Sequence, residues 1–412
     1  MRLNVALVLL AGLPLSAATV KSESVGFSEE RLHRVHDTIQ RHIDAHQISG
    51  AVTLVARKGH IVHLEAHGMM DVESKKPMAT DSIFRIWSMS KPVAGVAILM
   101  LMEEGKVRLN DPVSNFIPEF KGMKVAMPQE AQAGPSGSKP VTQQFYTVPA
   151  AREITIQDLL THVSGLGSGP ASSAEMARIA KKDGETLADY IPRLGTTPLD
   201  FQPGSRWTYS PLAAFDTLGR VVEIASGQPF DQFLRQRIFQ PLGMKETFFH
   251  PGDDRLSRLA TAYTRSNGAL QKFERQNWFL SKTYFSGGGG LTSTAQDYAQ
   301  FAMMLSEGGQ LNGKRLLSPK TVELMSSVFV PDTLPGRQPG RGYGLSVQVT
   351  SDPIAAGQRV SRGSYGWDGA YGTHFWVDPK EMIVGILMIQ TSNPERQLDR
   401  DFESAVMQAV IE

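Results

Sequence analysis

An antiparallel sheet flanked by helices and interrupted by an inserted, mainly helical domain is the α/β (α+β) architecture that this sequence predicts. Apolar runs of strand length lie near both ends of the 412-residue chain, while the middle carries helical spacing broken by Pro and Gly clusters. A Lys58-Gly59 turn also joins two of those runs too closely for anything but an antiparallel pair. The predicted organisation is a leader at 1–18, a sheet domain from 19–109 and 286–412, and a mainly helical domain over 110–285.

The elements follow in order. Arg2, the apolar run Leu3 to Leu15 and the small residues Ser16-Ala17-Ala18 have the layout of a bacterial secretory signal peptide, which predicts a periplasmic or secreted protein. The run is too short to span a bilayer, so no stable membrane insertion is expected after processing, and an uncleaved N-terminal anchor is the alternative. Leu32, Val35, Ile39 and Ile43 recur at three- and four-residue spacing, predicting a helix from Ser28 to His46 with Ser28 as its cap. Ala51 to Arg57 and His60 to Ala66 then read as a strand pair. On a strand, His60 and His63 would face opposite sides, so the His60, His63, His67 spacing predicts no metal site.

Ser88-Met89-Ser90-Lys91 stands where the strand-like Phe84-Arg85-Ile86 gives way to an all-apolar helical run, Val93 to Met102. A serine three residues before a lysine would share a helical face with it, and a lysine in a suitable environment can activate a hydroxyl. Pro92 is tolerated there because the first helical N–H groups have no partner in the helix. The same spacing at Ser136-Gly137-Ser138-Lys139 lies among Gly, Pro and Ser and predicts only a solvated loop. Helices are expected near 154–162, 173–191, 211–226, 229–239 and 294–307, strands near 343–349, 363–367, 372–378 and 382–390, and a last helix over 398–411.

Composition narrows the function. The net charge of +1 falls to zero once Arg2 is removed, which leaves no basic field for nucleic acid. With no cysteine, the chain can have neither disulfides, nor a thiolate zinc site, nor a cysteine nucleophile. Small-molecule chemistry without a cofactor is the expectation, and the oligomeric state stays open.

Several motifs occur together: Pro77-Met78 with Asp81-Ser82-Ile83-Phe84, Ser88-Met89-Ser90-Lys91, Leu159-Leu160-Thr161-His162-Val163-Ser164-Gly165-Leu166, Phe201 to Ser210, Gly288-Gly289-Gly290-Leu291 and Gly366-Trp367-Asp368-Gly369-Ala370. In this order they resemble the serine β-lactamase and penicillin-binding-protein superfamily, most closely the class C-like branch with family VIII carboxylesterases. The resemblance implies a β-lactamase/DD-peptidase-like fold. It also implies Ser88 as the acylated nucleophile, Lys91 and Tyr209 as its proton partners, and the backbone N–H groups of Ser88 and Ala370 as the oxyanion hole. Trp367, Asp368 and Gly369 would line the substrate cleft where β-lactamases carry K-T-G, and Pro211 replaces the Asn of Y-x-N. His162 reads as a packed, hydrogen-bonded support of the fold. Loss of the K-T-G lysine, an added carboxylate at Asp368 and loss of the Asn amide all turn the expectation toward a carboxylesterase of short or medium-chain esters. A class C-like β-lactamase, a D-alanyl-D-alanine peptidase and an acylated penicillin sensor without turnover are the alternatives.

Overall fold

A computed structural model describes residues 20–129, 144–274, 276, 280–392 and 397–412. The leader at 1–18 and the Ser136/Lys139 repeat of the motif lie outside the described residues.

Among the described residues the main sheet has eight strands. From one edge to the other they run Arg341–Tyr343, Gln348–Thr350, Tyr365–Asp368, His374–Asp378, Ile383–Met388, Gly50–Arg57, His60–Asp71 and Lys76–Pro77. Every neighbouring pair is antiparallel, so the early hairpin joins the late strands through Gly50–Arg57 against Ile383–Met388. Alternation along the central strands creates two apolar faces. Val52, Leu54, Ala56, Phe375, Val377, Val384 and Ile386 form the inner one, part of the main core. Ala51, Val55, Trp376, Ile383 and Leu387 form the outer one, covered by the Arg34–Asp44 and Leu398–Met407 helices. Trp376 lies over Gly385, where any Cβ would collide with the indole.

The Ser90–Glu103 helix is buried from Ser90 to Leu101 and belongs to the same main core as the inner face of the sheet. This is why its sequence is apolar on every side rather than along one stripe. It packs against the Ala213–Ser226 helix, and the Ala295–Ser306 helix packs against the central strands.

Several elements differ from the sequence expectation. The first helix is two, Glu29–Leu32 and Arg34–Asp44, joined at His33, although Ser28 does accept the Arg31 N–H as its cap. The expected helix over 173–191 is interrupted: Pro170–Arg178 ends, Gly184 turns the chain at φ +81°, and Thr186 with Asp189 caps a new helix at Leu187–Tyr190. The expected strand at 343–349 is two strands, because Ser346 adopts φ +70° and Gly344 comes so close to the Met325 carbonyl that no side chain fits. A hairpin of Tyr263–Ser266 with Ala269–Lys272 was not anticipated, although its Asn267-Gly268 pair, both at positive φ, is a strong turn signal.

Candidate active site

Three separate parts of the chain meet at Ser88. The first is the nucleophile turn itself. Trp87 takes φ +48°, a left-handed conformation that costs a side-chain-bearing residue about 1–2 kcal/mol. It ends the Phe84–Arg85 strand and tips Ser88 into a short 3-10 turn leading into the Ser90–Glu103 helix. Stacking of Trp87 on Tyr371, with ring centres 4.9 Å apart, packs that turn against the loop after the Tyr365–Asp368 strand. The Ser90 hydroxyl accepts the Leu291 N–H at 3.1 Å, and the Tyr298 hydroxyl donates to the Met89 carbonyl at 2.8 Å.

The second part is the lysine cage. Lys91 is fully buried, and its Nζ donates to the carbonyls of Pro211 and Gly288, each at 2.6 Å, while lying 3.2 Å from Ser88 Oγ. Pro211 therefore contributes a main-chain oxygen at a position whose side chain has no amide to give. The Gly288 carbonyl is aimed by Asp216, a buried carboxylate that accepts from the Gly288 N–H at 3.0 Å, Ser286 Oγ at 2.6 Å and the Tyr284 hydroxyl at 2.9 Å. Burial pushes the Asp216 carboxyl up from its ordinary range, and these three donors and Lys91 pull against that shift. The sequence reading missed Asp216. Its signal was an acidic residue among the apolar positions of the Ala213–Ser226 helix. The glycine run lets this segment come close, since a Cβ on Gly288 would sit 2.8 Å from Leu212 Cα.

Tyr209 is the third part, with its hydroxyl 2.5 Å from Ser88 Oγ. Its segment is pinned on both sides. The Thr208 N–H donates to the His162 carbonyl at 3.2 Å, and the Ser210 N–H donates to His162 Nδ1 at 3.2 Å. His162 is buried with its ring 4.7 Å from that of Tyr209, and burial drives its imidazole well below the ordinary range, helped by Lys91 and Arg337. It is neutral at pH 7, accepting at Nδ1, and acts as a buttress for the tyrosine.

The Trp367-Asp368-Gly369 edge divides between the two faces of the sheet. Trp367 pairs with Phe375, and its indole lies 5.6 Å from the Tyr209 ring on the inner side. Asp368 pairs with His374 and points to the outer face, where its Oδ1 is 2.5 Å from His374 Nδ1. The expected negative charge lining the cleft is thus corrected: strand alternation turns that carboxylate away from Trp367 and into an ion pair. Gly369 lies against the nucleophile turn, where a Cβ would strike Thr373 Oγ1 and stand 2.5 Å from the Ile86 carbonyl. Thr373 Oγ1 donates to that same carbonyl at 3.2 Å, fastening the strand edge two residues ahead of Ser88. Ala370 follows directly, and its N–H donates to no backbone acceptor among the described residues.

The histidines of the early hairpin are also placed. A β-bulge between Val55 and Ala56 breaks the strict alternation expected there; His60 is exposed at the hairpin tip, while His63 and His67 converge on the Thr53 hydroxyl at 2.7 and 2.9 Å.

The chain is similar to several known proteins. "Protein Rv1367c" of Mycobacterium tuberculosis is 35% identical, over 86% of this chain and 88% of that protein. "Esterase EstB" of Burkholderia gladioli is 31% identical, over 87% of this chain and 89% of its own. The solved structure of "EstCE1, a hydrolase with promiscuous acyltransferase activity" superposes with a TM-score of 0.76 at 28% identity, covering 92% of this chain and 99% of that one. The family model described as Beta-lactamase spans residues 35–408, and with that match the chain is placed as a hydrolase belonging to the beta-lactamase family.

Proposed function

We propose that this hydrolase is a serine carboxylesterase that cleaves short or medium-chain esters through an acyl-enzyme on Ser88. The observation that carries the reading is the three-way contact at Ser88 Oγ, with Tyr209 at 2.5 Å and Lys91 at 3.2 Å. Two carbonyls occupy two positions around Lys91 Nζ, so the third faces the serine. As an amine that position is a lone pair able to take a proton, and as an ammonium it is an N–H able to return one. Tyr209, touching the same oxygen, passes the proton to the departing alkoxide.

In the first half-reaction Ser88 Oγ bonds to the ester carbonyl carbon as its proton moves to the Lys91–Tyr209 pair. The negative oxygen of the tetrahedral intermediate sits between the Ser88 and Ala370 N–H groups. Collapse expels the alcohol with the stored proton. Water then repeats the sequence on the acyl-enzyme, regenerating Ser88 and releasing the acid.

Trp367 supports an ester over a β-lactam. An indole beside Tyr209 offers apolar surface where a K-T-G lysine would offer a cation to a substrate carboxylate. The name of the similar Burkholderia gladioli protein, "Esterase EstB", points the same way. The leader-like 1–18 segment supports action outside the cytoplasm.

The test is steady-state hydrolysis of p-nitrophenyl butyrate and of a chromogenic cephalosporin, with Ser88→Ala alongside. Ester turnover above lactam turnover, reduced by about 10⁴-fold or more in the variant, is expected. Dominant lactam turnover, or one stoichiometric burst without turnover, would replace the esterase by a β-lactamase or a sensor.

A further inference from the structure

The outer face of the sheet carries a histidine-rich cluster that the esterase reading does not use. Strand alternation puts His63, Glu65 and His67 of the His60–Asp71 strand on one side, where His36 in the first turn of the Arg34–Asp44 helix packs on His67 and His33, at the joint before that helix, packs on His36. His36 Nδ1 lies 2.6 Å from Glu65 Oε1, and His67 Nε2 lies 3.9 Å from Glu65 Oε2. One ligand atom from each of His36, Glu65 and His67 falls within 4.8 Å of the others.

We propose that His36, Glu65 and His67 form a binding site for a zinc-class divalent ion that ties the helix to the sheet. Two imidazoles and one carboxylate are a recurrent donor set for such ions. Around a zinc ion with bonds of about 2.0–2.2 Å, tetrahedral ligand atoms stand about 3.4 Å apart. The three ligand atoms here lie within 4.8 Å of one another, so side-chain rotations can bring them to that spacing around one ion. A water or His33, whose ring is 5.5 Å from that of His36, supplies the fourth position.

Two further observations favour a cation. His67 is only 3% exposed, and with its Nε2 held by the Thr53 hydroxyl at 2.9 Å its Nδ1 has no hydrogen-bond partner among the described residues, which leaves that nitrogen as the one open to an ion. The Glu65 carboxylate has only histidines within ion-pair distance among the described residues, with no lysine or arginine to compensate it. The donors also sit on a helix and on one strand of the sheet, which hold ligand geometry better than loops do. Thr53 lies beneath, its hydroxyl between His63 Nε2 and His67 Nε2, and orients both rings. Because the cluster lies on the face away from Ser88, the ion would act on stability and leave ester chemistry unchanged.

The test is equilibrium dialysis of the untagged protein against Zn²⁺ at pH 7.5, with Co²⁺ as a spectroscopic probe. One ion per chain is expected, with a Co²⁺ visible spectrum of low coordination number. His36→Ala and Glu65→Gln, both at half-exposed positions, should each weaken binding at least about 10-fold and leave ester turnover intact. Zn²⁺ should also raise the melting temperature of the wild type but of neither variant. Absence of saturable binding would overturn the proposal. So would binding that survives both substitutions, or that is lost instead in Asp368→Asn, which would put the ion at the Asp368, His374 and Asp399 group.

Discussion

A single oxygen distinguishes Tyr209 from the phenylalanine that would fill the same space. Its ring packs against His162 and Trp367, and only the hydroxyl reaches Ser88 Oγ. Tyr209→Phe should therefore keep the fold and change KM little while lowering kcat by about 10²- to 10⁴-fold, measured on p-nitrophenyl butyrate with the melting temperature as control. Ser88 and Lys91 were legible in the sequence only together with the motifs that accompany them, because a serine and a lysine ahead of an apolar helix are by themselves a weak signal. Asp216 was not, since its role depends on a glycine segment that arrives about 70 residues later in the chain. The direction of Asp368 also escaped the sequence. Neighbouring strand residues differ only in parity, and parity has no meaning until register is known.

The Tyr365–Asp368 strand serves two partners at once, with Trp367 turned to the cleft and Asp368 to the Leu398–Met407 helix side. His374 is the joint between strand and helix, 2.5 Å from Asp368 and 3.3 Å from Glu403. Burial alone would lower its pKa, but hydrogen bonds and charge from Asp368 and Glu403 outweigh it and hold the imidazole well above its ordinary value. Asp399 in the same group is raised, mainly by burial. A raised folded pKa means that the stabilisation is complete below the unfolded value of about 6.5 and is lost as pH climbs through the folded value. His374→Gln should thus cost about 3 kcal/mol at pH 6 and progressively less toward alkaline pH, read by urea unfolding at both ends. Equal costs at pH 6 and 9 would contradict the charged bridge. Among elements, long periodic stretches such as Ala213–Ser226 were plain from sequence, whereas the break at Ser346 was hidden because Leu345, Val347 and Val349 mimic one alternating strand.

The whole molecule is closed by a clasp on the sheet's outer side. Arg57, 3% exposed, donates to the Val25 and Gly26 carbonyls at 3.1 and 2.8 Å, to the Glu412 carbonyl at 2.6 Å and to the Glu381 carboxylate at 3.0 Å. Phe27 and Val410 are bridged beside it. Arg57→Ala would orphan these acceptors together and should destabilise the protein by about 3–5 kcal/mol, seen as a lower urea midpoint, while kcat at 25 °C stays near wild type. The sequence showed strands at both ends of the chain, but not that one buried arginine gathers them. With Phe27 and Val410 side by side across the sheet from Ser88, a tether attached through either end holds the molecule by its back. Anchored to a bead or a cell surface, the protein would present its cleft outward, and a short linker between the two segments would permit new termini to be opened elsewhere.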